Sequence, residues 1–135
     1  MADSSTELIM QFVHTFYRLL DGESPEALKE WGDMFDEDAE FVTPVTTLNG
    51  RPEIKSQRSE FWTQFPGLTH KPVRMYVSPF SPLDVVVINS YEFTDKDGNH
   101  RVSWTACELK LVEREEGRVI QRLEIFMDPT VLGWK

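Results

Sequence analysis

The sequence is poor in the residues that most directly announce a function. It has one cysteine, Cys107, inside an apolar run. No internal disulfide can form, and a lone thiol of this kind is ordinarily inert packing, which suits a reducing compartment. It has three histidines, His14, His70 and His100, and no two of them stand at metal-ligand spacing. The carboxylate run Asp36-Glu37-Asp38 reads as a loop at a helix end, and Glu113, Glu115 and Glu116 as a solvated hairpin. No glycine-rich phosphate loop is present. Metal and cofactor are therefore both expected to be none. Positive charge is also scarce: 14 Lys and Arg stand against 23 Asp and Glu, a net charge of -9. That balance argues against nucleic acid, which is bound through clustered cations, and against anionic membranes. Its simplest role is solubility. No apolar run is long enough to span a bilayer, and the N-terminal MADSSTE has neither a basic nor an apolar signal region. The expectation is one cytoplasmic domain over residues 1–135.

What the chain does have is aromatic bulk. Nine Phe and four Trp suffice to line a pocket as well as fill a core. Leu8, Ile9, Phe12, Val13, Phe16, Leu19 and Leu20 recur at helical spacing, capped by Ser4, Ser5 or Thr6 and ended by Asp21-Gly22. Tyr17 lies on the flank of that face and is a pocket candidate; His14 lies opposite and is read as solvated. Ser24-Pro25-Glu26 starts a second helix, with Ala27, Leu28, Trp31, Met34 and Phe35 as its stripe. Glu40 to Pro44 reads as a short strand, and Pro52 begins a third helix with Ile54, Arg58, Phe61, Trp62 and Phe65 inward. From Thr69 the period changes to 2. Strands are predicted at 69–78, 84–94, 102–113 and 119–128, with turns at Asp97-Gly98 and Glu115-Glu116-Gly117. Helices followed by an antiparallel meander make an α+β domain.

Register then proposes a site. A two-residue loop at Asp97-Gly98 sets Tyr91 opposite Trp104 and Asn89 opposite Ala106. A three-residue loop with Gly117 as the bulge sets Trp104 opposite Asp128 and Ala106 opposite Phe126. Tyr91, Trp104 and Asp128 then form one row, and Asn89, Ala106 and Phe126 the next. The other face carries Ile88, Cys107, Leu109, Leu111, Leu123, Ile125 and Met127. A carboxylate buried beside an indole and a phenol would have its pKa raised into the range of a general acid or base. A solvent face or subunit contact is the competing reading of the same row, and one residue of slip would reverse whole strands.

The chain also resembles the NTF2-like superfamily, and within it the SnoaL-like polyketide cyclases. The resemblance rests on Met34-Phe35-Asp36-Glu37-Asp38-Ala39-Glu40-Phe41, on Leu48-Asn49-Gly50-Arg51 leading into Glu53-Ile54, on Glu116-Gly117-Arg118-Val119-Ile120, and on Phe126-Met127-Asp128-Pro129. It covers nearly the whole chain. It implies a cystatin-like cone: a strongly curved sheet wrapped round the N-terminal helices, with a deep apolar pocket. It implies cofactor-free acid/base chemistry and a homodimer. Three relatives' mechanisms do not transfer intact. Ketosteroid isomerase carries an Asp where this chain has Thr43. The Arg and one Asp of the epoxide hydrolase set fall near Asn89 and Tyr91. Dehydratases of the scytalone type use paired cavity histidines, whereas His70 is read here as an exposed loop residue.

These readings combine into a cyclase or isomerase, possibly dehydrating, for a hydrophobic polyketide- or terpenoid-derived intermediate. Asp128, Tyr91 and Asn89 are the expected catalytic residues. Trp104, Phe126, Tyr17 and Trp62 are expected to contact the substrate. The alternatives are a non-catalytic ligand-binding or dimerisation module on the same fold, and an epoxide hydrolase.

Overall fold

In a computed structural model, which describes residues 4–132, the helical and alternating stretches separate as their periods require. The elements run α1 (Ser4–Leu20), α2 (Pro25–Asp33), β1 (Phe35–Val42), β2 (Thr47–Asn49), α3 (Arg51–Gln64), β3 (Thr69–Val77), β4 (Asp84–Thr94), β5 (His100–Arg114) and β6 (Gly117–Phe126). A short 3-10 turn, Pro129–Leu132, follows. The side chains of Ser4 and Ser5, two of the three candidate caps of α1, lie outside the described residues.

The α1–α2 connection is tight. Ser24 caps α2, its hydroxyl oxygen accepting from Ala27 N at 3.1 Å, and Pro25 occupies the first turn, where its missing N–H costs nothing. A Cβ on Gly22 would lie 2.6 Å from that of Ala27, so the turn needs glycine. α2 stops at Asp33, earlier than the apolar stripe suggested. Met34 is the C-cap of α2, its O accepting from Ile120 N at 2.8 Å, and Phe35 begins the strand that follows. Phe35 is fully buried there, which explains why it looked like a helix residue.

The six strands form one curved, open sheet in the order β2-β1-β6-β5-β4-β3. All neighbours are antiparallel except β1 and β6, which run parallel, a pairing absent from the predicted meander. Pro72 is tolerated because β3 is an edge strand. The concave face carries Val85, Val87, Cys107, Leu109, Leu111, Ile120 and Leu123, and packs against Ile9, Val13, Phe16 and Leu20 of α1 and Trp31 of α2. Each fully buried Leu, Ile, Val or Phe contributes about 1.5–3 kcal/mol of hydrophobic stabilisation. A second cluster, Leu68, Tyr91 and Phe93 with Phe61, Phe65 and Met127, forms the other end of that face.

Register decides which residues look inward. In the β5–β6 pair, Ala106 lies opposite Phe126, as predicted, and in the same register Glu108 lies opposite Glu124. The route differs: Arg114 pairs with Gly117, and the irregularity falls between Lys110 and Leu111 instead of at the turn. In the β4–β5 pair the prediction is off by one: Tyr91 pairs with Ser103 and Asn89 with Thr105. The cause is Asp95. Its carboxylate accepts from Asp97 N at 3.0 Å, Asn99 N at 2.9 Å and Arg101 Nε at 2.9 Å. That closes a loop from Asp95 to Asn99 between the paired Thr94 and His100, in place of a two-residue turn. The extra spacing moves β4 by one residue against β5, which reverses the face it shares.

Candidate functional site

A cavity of about 180 Å³ opens between α1, α3 and the concave face of the sheet. For scale, an apolar cavity of roughly 150 Å³ holds benzene. Its wall is mostly apolar: Phe16, Leu20, Trp31, Phe41, Ile54, Leu123 and Ile125 are among its lining residues. Into that wall are set a few polar groups: Tyr17, Thr43, Arg58, His70, Asn89, Tyr91 and Thr105.

The most organised of these is His70. It stands one residue into β3, paired across the sheet with Tyr91, and its side chain is 13% exposed. Asp21, the residue after α1, holds it twice. Asp21 Oδ1 lies 2.7 Å from His70 Nδ1, and Asp21 Oδ2 accepts from His70 N at 2.8 Å. A carboxylate at Nδ1 assigns the ring proton to that nitrogen and leaves the lone pair on Nε2. Among the described residues nothing partners Nε2. Burial lowers the His70 pKa below its ordinary 6.5; the Asp21 hydrogen bond and charge oppose this, and the Arg58 charge adds to it.

Arg58, from α3, donates through Nη2 to Leu20 O at 3.0 Å, and Trp62 Nε1 donates to the same carbonyl at 2.9 Å. Its guanidinium lies 4.7 Å from the Phe61 ring centroid and 5.6 Å from that of Trp62. A cation at the C-terminus of α1 is favoured by the helix dipole. Burial pulls its pKa down to about 10, so it stays charged at neutral pH.

Deeper in the wall, Asn89 Nδ2 donates to the Tyr17 hydroxyl at 2.9 Å. Burial raises the Tyr17 phenol well above its usual value, the adjoining Cys107 adding to the shift. Cys107 itself is pushed up to about 12 by burial, so it is a thiol and not a nucleophile at neutral pH. Asn89 Oδ1, the Tyr91 hydroxyl, Trp31 Nε1 and Arg58 Nε are buried without a hydrogen-bond partner among the described residues. Burial raises the Tyr91 phenol, the neighbouring Ser103 hydroxyl opposing and the Asp128 charge adding.

The predicted site residues divide. Tyr17, Asn89 and Tyr91 line the cavity. Trp62 does not; its indole ties α3 to the end of α1. Trp104 and Phe126 are on the convex face, 55% and 50% exposed, because the cavity lies on the side of Cys107 and Ile125. The row of Tyr91, Trp104 and Asp128 therefore does not exist. Asp128 is exposed beyond the end of β6, where its carboxylate accepts from Thr130 N at 3.0 Å and Thr130 Oγ1 at 2.7 Å. Those hydrogen bonds lower its pKa, where burial had been expected to raise it.

Asp21, His70 and Arg58 were missed in those roles. Asp21 reads in sequence as a helix stop, 49 residues from its partner. One signal existed: carrying the register across β3–β4 pairs His70 with Tyr91, and so sets it on Tyr91's face. Thr43 also lines the cavity, but its Oγ1 is occupied, donating to Thr46 O at 3.0 Å and accepting from Thr46 N at 3.0 Å.

A profile of the SnoaL-like domain matches residues 4–124. The chain belongs to the SnoaL-like domain family. Among solved structures, this SnoaL-like chain is similar to ActVI-ORFA from Streptomyces coelicolor, with a TM-score of 0.77 and 15% identity over 95% of this chain and 98% of that one. It is similar to a putative scytalone dehydratase from Novosphingobium aromaticivorans, with a TM-score of 0.75 and 17% identity over 89% and 81%. It is also similar to a protein of ketosteroid isomerase-like fold from Catenulispora acidiphila, in complex with trimethylamine, with a TM-score of 0.73 and 17% identity over 89% and 87%. These likenesses establish the NTF2-like, cystatin-like fold. No curated protein sequence matches the chain. No helix among the described residues is long and apolar enough to cross a membrane.

Proposed function

We propose that this protein catalyses a proton-transfer reaction, a cyclisation, isomerisation or dehydration, on a hydrophobic oxygenated intermediate of the polyketide or terpenoid kind. His70 is the general base in this reading, and Asp21 orients it. The observation that carries the reading is the Asp21–His70 pair in the wall of an apolar cavity. The imidazole is neutral at pH 7 because burial disfavours its cation, and a neutral base near the working pH is the efficient one. Arg58 supplies positive charge at the same wall, suited to an enolate or phenolate oxygen as it develops. Tyr91, with an unpaired hydroxyl, is suited to polarising a carbonyl.

A non-catalytic module on the same fold would have its cavity filled by Trp31, Trp62 and Phe65 and its Asp128 exposed. Only Trp31 of these lines it, and the space between remains open. The exposed position of Asp128 was the other sign of a binding module; it removes Asp128 from the cavity without removing the carboxylate that Asp21 supplies.

The same reading includes a homodimer. Trp104, Phe126, Val102 and Tyr76 expose large apolar area on the convex face of the sheet, which a second copy would cover.

Deuterium exchange at the α carbon of 2-tetralone, a bicyclic ketone, tests the chemistry without knowledge of the natural substrate. The protein should accelerate exchange over buffer, saturably, and His70→Gln should abolish the acceleration. Acceleration that survives His70→Gln overturns the role of His70.

A further inference from the structure

Asn89 carries more than a wall position. It is 1% exposed, on a face it shares with Val85, Val87 and Cys107 and, directly across the sheet, with Thr105. Its amide is oriented from one side only: Nδ2 donates to the Tyr17 hydroxyl at 2.9 Å. That bond leaves Oδ1 as a buried acceptor with no donor among the described residues. A buried acceptor left unpaired costs about 1–3 kcal/mol, so native proteins keep one only where something else completes it. Two residues along the same face, its Cα roughly 7 Å from that of Asn89, Tyr91 also buries a hydroxyl without a hydrogen-bond partner among the described residues. Both residues line the cavity.

We infer that Asn89 selects the ligand by its hydroxyl group: the cavity takes an aromatic or enolic compound whose O–H donates to Asn89 Oδ1. This rests on the cavity being the substrate site, and it narrows the substrate class to compounds that bring a donor. A hydrocarbon or a methyl ether of the same shape would bury Oδ1 without pairing it. A site built to accept from a hydroxyl rejects the analogue lacking one more strongly than an apolar pocket rejects a change of size. Tyr17 acts here as a positioning residue. Its hydroxyl holds Nδ2, and so keeps Oδ1 toward whatever fills the wall.

Calorimetric titration of the full chain with 2-naphthol, 2-methoxynaphthalene and naphthalene tests this without turnover. The naphthol should bind at least about fivefold more tightly than the methoxy compound, the lower bound for leaving a buried acceptor unpaired. Asn89→Leu should remove that difference by weakening the naphthol alone. Tyr17→Phe frees the amide to turn its N–H₂ inward, and the methoxy compound should then gain on the naphthol. If Asn89→Leu fails to fold, the Tyr17→Phe result carries the decision. Equal binding of all three probes to the wild-type protein, or tighter binding of the methoxy compound, overturns the role of Asn89 and leaves the cavity reading standing. Binding of none overturns both.

Discussion

Asp21 grips His70 at two points, the ring Nδ1 at 2.7 Å and the backbone N at 2.8 Å. One carboxylate at the end of α1 thus fixes both where β3 begins and which nitrogen of its histidine is free. The backbone bond sets the position of the residue, and the ring bond sets its tautomer.

Removing either partner should separate orientation from chemistry. His70→Gln should cost about 10²–10⁴ in catalysed α-proton exchange, the usual span for a general base. Asp21→Asn retains the imidazole and a similar shape, so a smaller loss is expected. Exchange rates measured side by side check the order; a larger loss from Asp21→Asn than from His70→Gln contradicts it.

The pH dependence follows from burial. His70 has a folded pKa below 6.5, so as the pH falls the unfolded chain takes up that proton first. The stability linked to neutral His70 is full above 6.5 and is lost as the pH falls toward the folded value. The catalysed rate should hold level through neutrality and fall with a midpoint below 6.5. Thermal melts and exchange rates between pH 8 and pH 5 would show both trends.

Arg58 and Asp21 should move that midpoint in opposite directions. The Arg58 charge lowers the His70 pKa, so Arg58→Gln should raise the midpoint. Asp21 raises it, so Asp21→Asn should lower it. Two shifts of the same sign would contradict the electrostatic account.

Asp128→Asn should leave α-proton exchange unchanged, because its carboxylate is exposed and bonded to Thr130. A strong loss would return Asp128 to the mechanism.

Trp104→Glu puts a charge in the centre of the exposed convex face. Sedimentation should find the wild-type chain as a dimer and the variant as a monomer of the same fold. A wild-type monomer removes the dimer from the account.

The sequence was most readable where one local rule decided the outcome. Ser24-Pro25 placed the start of α2, and the β-branched run of β4 gave the bounds Asp84–Thr94 without error. It was least readable where a side chain altered the chain count between strands. Asp95 drew five residues into the first hairpin loop, and that single change carried Tyr91 and Asn89 to the face opposite Trp104. The two residues were still cavity residues, but in the company of Cys107 and Ile125. The Asp21–His70 pair was illegible for another reason. Helix end and strand start are joined only by the tertiary fold, and each alone has an ordinary local explanation.

The central claim is that burial keeps His70 neutral while Asp21 fixes its proton on Nδ1 and leaves the lone pair on Nε2. Nitrogen-15 NMR of the His70 ring, followed through a pH titration, measures this directly. The account predicts a protonated Nδ1, a bare Nε2 and a titration midpoint below 6.5. A proton on Nε2 in the neutral ring, or a midpoint above 6.5, would contradict it.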